Sequence, residues 1–362
     1  MNIDDAIHAL TAGASAVESA LYLDLNGCIV RVQSNSVELI EQLSGYFAHV
    51  KTDATAHQIA VLAIERGAPD LGIDFVDWKR EAGKQGRKDS YHDLPGARLV
   101  RKVRTGMVFL QSERAAIAAG PCRRYDNQVI NFINAQYMNW LQQRGWLICH
   151  AAALVRDHRA LGIAGFSGGG KSTLMLNMLE APATRYLTND RLFIRRQQAD
   201  VQAVGIPKLP RVNPGTIVNN PRLHPLIPQA QRNRLMQMPP AELWEMEEKY
   251  DVMIGQTYGA DRIAGQASLG AFLILNWQRE DHQLTAVERV DLDRRRDLLA
   301  AIIKSPGPFY QYADGRFFQD STPFDEISYL EVLADVPIYE AHGGVDFQAV
   351  EKQLGTMLGE KS

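Results

Sequence analysis

Gly165-Phe166-Ser167-Gly168-Gly169-Gly170-Lys171-Ser172 fits the pattern GxxxxGK[ST] of a P-loop, or Walker A motif. A short apolar run at 161–164 precedes it, and residues 171–179 read as a helix that ends before Pro182. Strand, loop and helix in that order are what such a site needs. Glycines without a Cβ let backbone N–H groups converge on a polyphosphate, and the following helix offers the same anion the positive end of its dipole. Lys171 supplies a mobile cation for the β- and γ-phosphates, and Ser172 a neutral oxygen suited to Mg2+. With Thr173, the glycines, Ser167, Lys171 and Ser172 form the candidate nucleotide site. The plainer alternative is a glycine-rich turn that happens to precede a helix.

A Mg2+–nucleotide site also needs a carboxylate opposite the loop. Tyr186-Leu187 leads through Thr188-Asn189-Asp190 into the strand-like Arg191-Leu192-Phe193-Ile194, which puts Asp190 at a strand tip as candidate metal ligand or general base. The competing reading makes Asn189-Asp190 a hairpin turn, since both residues bond their own backbone readily. His150 ends the apolar run 146–149 and precedes three alanines. It is a candidate for catalysis or phosphate contact, against the ordinary alternative of a satisfied core histidine. Arg211 and Lys208 could neutralise charge developing on a transferred phosphoryl group, or be solvated loop charges. Lys249-Tyr250-Asp251 and Arg262 could shape an acceptor side. Asp346 reads as a helix N-cap, Leu243, Met246, Glu247 and Tyr250 as a helical packing stripe, and Arg294-Arg295-Arg296 as a solvated helix face.

Outward from the motif, Asn26-Gly27 between two alternating apolar segments predicts a β-hairpin with a type I′ turn. Apolar spacing predicts helices over 36–49 and 125–144, strands over 58–64, 147–155 and 160–164, and a hairpin over 97–110. Residues 79–93 are polar and read as a mobile loop. Eight of the 16 prolines fall in 207–240, which predicts an extended, wrapped loop. Further strands are expected at 271–275 and 336–340, and helices at 293–304, 324–333 and 347–358. The domain boundary is placed before the 125–144 helix, giving an α+β accessory domain at 1–122 and a P-loop domain at 123–362.

The chain has 362 residues, with 39 basic against 42 acidic and a net charge of −3, so nothing attracts it generally to nucleic acid or an anionic membrane. Three separated cysteines make neither a metal pair nor a disulfide framework. The acidic start and the short apolar runs lead to the expectation of a soluble cytoplasmic protein, with no membrane and no nucleic-acid partner. The chain has no Asn-Lys-x-Asp motif to read guanine and no Leu-Ser-Gly-Gly-Gln signature of an ABC ATPase.

The segments 150–155, 163–174 and 187–191 together resemble the core of the HPr kinase/phosphorylase family, in particular its divergent branch of HprK-related kinases of the kinase B type. The resemblance is firm over 145–196 and thinner beyond, where 205–211 lies near the place of the family's glycine- and arginine-bearing segment. Residues 1–120 show no match to the family's regulatory domain. The resemblance implies an α/β protein with an α+β mixed sheet, akin to phosphoenolpyruvate carboxykinase, in which the P-loop sits in a largely antiparallel sheet. It places the family's P-loop lysine and serine on Lys171 and Ser172, its histidine on His150 and its Mg2+-associated aspartate on Asp190. Where the family has two adjacent aspartates, this chain has Asn189 as the first, and an amide can orient a hydroxyl or ligate a metal but cannot take its proton. Phosphorylase activity is thereby in doubt. The expectation is an ATP- and Mg2+-dependent kinase acting on a hydroxyl of a protein serine or a metabolite. The alternatives are a non-catalytic ATP-binding regulator or scaffold, and an ATPase coupled to mechanical work. Acceptor identity and homo-oligomer formation stay open.

Overall fold

Asn26 and Gly27 take φ of 55° and 84°, the two positive values of a type I′ turn. They join β1 (Leu21–Leu25) to β2 (Cys28–Ser34) in the antiparallel hairpin expected. The structure is a computed structural model that describes all residues except 80–85, 167–168, 240–241, 244–245, 247, 279–280 and 358–362. The chain divides into two units: Met1–Trp146 with Ser305–Phe324, and Leu147–Lys304 with Asp325–Ser362.

The first unit is built on an eight-stranded sheet. Its further strands are β3 (Ile59–Glu65), β4 (Val76–Asp77), β5 (Asp89–Leu94), β6 (Ala97–Lys102), β7 (Val108–Ser112) and β8 (Ala116–Gly120), in the order β1-β2-β3-β8-β7-β6-β5-β4. Helix α1 (Ile3–Thr11) buries Ala6 and Leu10 against Leu99, Leu110 and Ile117. Helix α2 (Val37–Tyr46) starts at Ser36, whose side chain accepts from the Leu39 N–H. Helix α3 (Asp126–Gln142) buries Val129, Phe132, Ile133 and Tyr137 and lies in this unit, so the units part at Trp146 rather than at 122/123. Residues 79–93 are not all loop, because 89–94 pair with β6. Arg98 on β6 is wholly buried, and its guanidinium grips Asp93 at 2.5 and 2.9 Å. The same group donates to the carbonyls of Pro308 and Phe318, which belong to the returning segment.

The second unit holds a nine-stranded sheet. Its strands are β9 (Leu147–Cys149), β10 (Ala151–Arg156), β11 (Arg159–Gly165), β12 (Arg185–Thr188), β13 (Leu192–Gln197), β14 (Asp200–Gly205), β17 (Gln266–Leu275), β18 (Ala286–Val290) and β19 (Ile338–His342). A separate ribbon pairs β15 (Arg211–Val212) with β16 (Tyr250–Asp251). The main order is β12-β10-β11-β17-β14-β13-β9, with β19 beside β17 and β18 beside β19. Pairing is antiparallel except for β11/β17 and β17/β19, so the sheet is mixed and mostly antiparallel, as expected.

The expected strand 147–155 is broken at His150. Its halves go to different places: β9 pairs with β13 and β10 lies between β11 and β12. Sequence periodicity does not register the break because both halves are apolar. The break is held by a tertiary bond, the His150 N–H donating to the Ile302 carbonyl at 2.7 Å. Gly205 permits a second close approach, since a Cβ there would sit 2.0 Å from the Leu187 carbonyl oxygen.

The proline-rich stretch is not extended. It holds helices Pro214–Val218 and Gln229–Met236 and a 3-10 turn Pro221–Leu226, because Pro214 and Pro221 occupy first-turn positions where a missing N–H costs nothing. Tyr250, expected in a helical stripe, is in β16, and Glu247 of that stripe lies outside the described residues. The helix expected at 293–304 shrinks to Leu299–Ile302 behind a 3-10 turn. Arg294 and Arg296 are exposed as expected, whereas half-buried Arg295 bonds buried Glu340 at 2.5 and 3.0 Å and Asp297 at 2.9 Å. Among the described residues no helix is long and apolar enough to cross a membrane.

Candidate functional site

Strand register gathers the candidate residues. Ala151 lies opposite Ala164, and Ala153 opposite Thr188, so His150, Gly165 and Asp190 leave three adjacent strands at the same end of the sheet. β17 runs parallel to β11 and ends beside it at Leu275, so the glycine-rich loop begins beyond the carboxyl ends of parallel strands, a common place for ligands.

The loop is shaped by close packing. Gly170 takes φ 84° before α4 (Lys171–Met178), and a Cβ there would meet the Phe347 ring at 2.8 Å. The Gly169 N–H donates to the Phe166 carbonyl, and the Trp277 indole donates to the Gly169 carbonyl at 2.9 Å. Trp277 and Phe347 stack edge to face, with centroids 5.1 Å apart. Ser167 and Gly168 lie outside the described residues. Lys171 Nζ donates to the Gly165 carbonyl at 2.8 Å, folding back over the start of the loop. Ser172 is half-buried in the first turn of α4. The Thr173 hydroxyl meets the Thr216 hydroxyl at 2.9 Å, so this side chain ties α4 to the proline-rich segment.

Opposite the loop, the Nε2 of His150 stands 3.4 Å from Oδ1 of Asp190, while the other oxygen pairs with Arg191 Nε at 3.0 Å. The turn carrying Asp190 is set by Thr188, whose hydroxyl donates to the Arg191 carbonyl at 2.9 Å. It is not a hairpin turn, since β12 and β13 have different neighbours. Burial presses the Asp190 carboxyl toward its neutral form, but Arg191, His150, Lys208 and Lys304 hold it well below the usual carboxylate range. For His150, the Asp190 contact favours the charged ring, yet burial and the charges of Lys171 and Lys304 outweigh it, and the pKa falls below the ordinary histidine value. The imidazole is therefore neutral near pH 7 beside an ionised carboxylate. The Oδ1 of Asn189 is buried and has no hydrogen-bond partner among the described residues.

The structure thus brings together His150, Asp190 and Lys171, and adds Lys208. Arg211 pairs with Asp251 at 3.0 Å across the β15/β16 ribbon. Arg262 donates to the carbonyls of Leu179, Ala181 and Thr184 in the turn between α4 and β12, a structural role. Asp346 caps its helix as expected, accepting from the Ala349 N–H. Lys304, Arg191 and Trp277 were missed by sequence reasoning. Arg191 adjoins Asp190 and was legible, whereas Lys304 arrives through tertiary contacts that include the Ile302–His150 bond and a 3.3 Å bond from its own N–H to the Ile148 carbonyl.

Mg2+ is a hard ion that accepts one or two carboxylates and completes its shell with water and phosphate oxygens. Among the described residues no cluster of three or more His, Cys, Asp or Glu could hold a metal, but ionised Asp190 and the Ser172 hydroxyl are oxygen donors of the right kind. The donor set therefore fits an ion brought in with a nucleotide.

No family model matches the chain, and no curated protein sequence matches it. Among solved structures, the chain is similar to the Hpr(Ser) kinase/phosphatase from Coxiella burnetii, with 11% identity and a TM-score of 0.28 over 58% of this chain and 95% of that one. This is a weak structural similarity, and the functional reading rests on the chain's own residues.

Proposed function

We propose that the second unit is an ATP-dependent phosphotransferase acting on a hydroxyl. The observation that carries the reading is the neutral His150 held 3.4 Å from ionised Asp190 at the sheet end where the lysine-bearing loop begins. Loop amides and Lys171 bind the triphosphate, Lys171 exchanging its Gly165 carbonyl for phosphate oxygens. Ser172 and Asp190 would hold Mg2+, which when bound neutralises charge on the phosphates. The acceptor oxygen bonds to the γ-phosphorus as the bond from that phosphorus to the bridging oxygen of ADP breaks. The hydroxyl proton passes to the His150–Asp190 pair, where the imidazole is the better base because Asp190 is held so far below its ordinary value. Arg211, paired with Asp251, is left out of this scheme.

The test is incubation with γ-labelled ATP, Mg2+ and a cell lysate split into protein and small-molecule fractions. Label should leave ATP for an acceptor and stay on ATP in Lys171→Met. Tight ATP binding with neither transfer nor hydrolysis would overturn the kinase and favour the second reading, a nucleotide-binding regulator. Asn189 in place of a carboxylate is the feature that supports that second reading. Phosphate release independent of any acceptor would mark an ATPase.

A further inference from the structure

Two aromatic side chains grip consecutive residues of the glycine-rich loop. Trp277 is buried, and its indole N–H donates to the Gly169 carbonyl at 2.9 Å. The Phe347 ring packs 2.8 Å from where a Cβ on Gly170 would stand, and Cζ2 of Trp277 lies 3.8 Å from the same point. The two rings meet edge to face, so they hold the loop together. Each is anchored in turn. The Asn276 and Gln278 N–H groups on either side of Trp277 donate to the carbonyls of Ala341 and Gly343 at 2.9 and 3.0 Å, and Phe347 opens the helix Phe347–Met357 that Asp346 caps.

The peptide between Gly169 and Gly170 is flanked by glycines on both sides, so reversing it meets little steric resistance within the loop itself. Its orientation has to be set from outside. A trans peptide directs its C=O and N–H in opposite senses, so the bond that turns the Gly169 carbonyl toward the buried indole turns the Gly170 N–H away from it. Gly170 is the cap residue of α4, whose first-turn N–H groups lack partners within the helix. Reversal of the peptide would put a carbonyl oxygen where that N–H stands, and the oxygen would repel an anion. We propose that Trp277 is a positioning residue for phosphate binding: its indole N–H holds the Gly169–Gly170 peptide in the orientation that offers the Gly170 N–H to the polyphosphate. This rests on the nucleotide-binding reading of the loop and names what sets the loop before the ligand arrives.

The experiment titrates two probes, a non-hydrolysable ATP analogue and inorganic triphosphate, each with Mg2+, by calorimetry, and follows the Gly170 amide by NMR in protein labelled at glycine nitrogen. Wild type should bind both probes, and its Gly170 amide resonance should move on saturation with either. Trp277→Phe keeps a ring against Phe347 without the N–H, and site-specific replacement of Trp277 by benzothienylalanine keeps the indole shape with sulfur in place of the N–H. Either change should weaken both probes about tenfold and, at saturation, move the Gly170 amide less than about half as far, with the unfolding midpoint within about 4 °C of wild type. The proposal is overturned if the wild-type Gly170 amide stays put on binding, if the isosteric replacement binds triphosphate as wild type does, or if affinity falls while the amide still moves as far, which would make Trp277 structural only. Wild type that binds the analogue but not triphosphate would put the affinity on the base instead of the loop and overturn it as well. If wild type fails to bind the analogue, the nucleotide reading itself falls, an outcome distinct from analogue bound with an unmoved amide.

Discussion

The Nε2 of His150 and Oδ1 of Asp190 lie 3.4 Å apart although the two residues sit in separate crossovers, β9 to β10 and β12 to β13. A neutral imidazole and an ionised carboxylate at that distance divide the work: the carboxylate keeps its charge, and the ring can accept a proton. His150→Gln is expected to lower phosphate transfer by about 10²–10⁴-fold with ATP affinity changed less than about threefold. Asp190→Asn should also raise the Mg2+ concentration needed for half-maximal nucleotide binding. Turnover and a Mg2+ titration of nucleotide binding check both.

Gly205→Ala should be among the most damaging single changes in the second unit. Its new methyl would lie 2.0 Å from the Leu187 carbonyl oxygen, a backbone atom that cannot swing away. A loss of about 3 kcal/mol in denaturant unfolding is expected. Gly215→Ala, whose methyl would meet Leu243 only at 3.6 Å, should stay within about 1 kcal/mol of wild type.

Glu340 gives the acid limb of stability a specific contributor. Burial presses its carboxyl upward, but the bonds from Arg295 and Asn276 prevail and leave it below its ordinary value of 4.5. The unfolded chain therefore binds more protons than the folded one around that pH. The contribution is fully present above the ordinary glutamate value and is lost as the pH falls through the lower folded one. Glu340→Gln should show a shallower loss of unfolding free energy on acidification, measured by denaturant titration at successive pH values.

The cysteines should be inert. Burial pushes the thiols of Cys28 and Cys122 up to about 12, and that of buried Cys149 upward as well. The native protein should react with less than one equivalent of a thiol reagent at pH 8, and unfolded protein with all three cysteines. Rapid native labelling would show that the strands around them open readily.

Local chemistry was readable wherever it decides local shape. Asn26-Gly27 announced its turn, and the glycines before Lys171 announced a loop between β11 and α4. Asp190 at a strand tip was also legible, because a Thr-Asn-Asp run interrupts two apolar segments. The break at His150 was not, since no residue near it disfavours a continuing strand and the deciding bond comes from Ile302. Lys304 was invisible for the same reason. The pairing of Arg211 with Asp251 was not legible either, because it depends on the β15/β16 ribbon bringing together residues 40 apart in the chain.

The returning segment has a consequence for how the chain is made. Pro308 and Phe318 supply carbonyls to the buried guanidinium of Arg98, so the first unit is incomplete until residue 324 has left the ribosome. At ~5–20 residues per second, the interval after residue 146 is roughly ten to forty seconds. Throughout it a nascent chain lacks two of the acceptors that the buried guanidinium uses, and residues 147–304 of the second unit are synthesised before the first can close. A stop codon placed at 146 would turn that delay into a permanent defect.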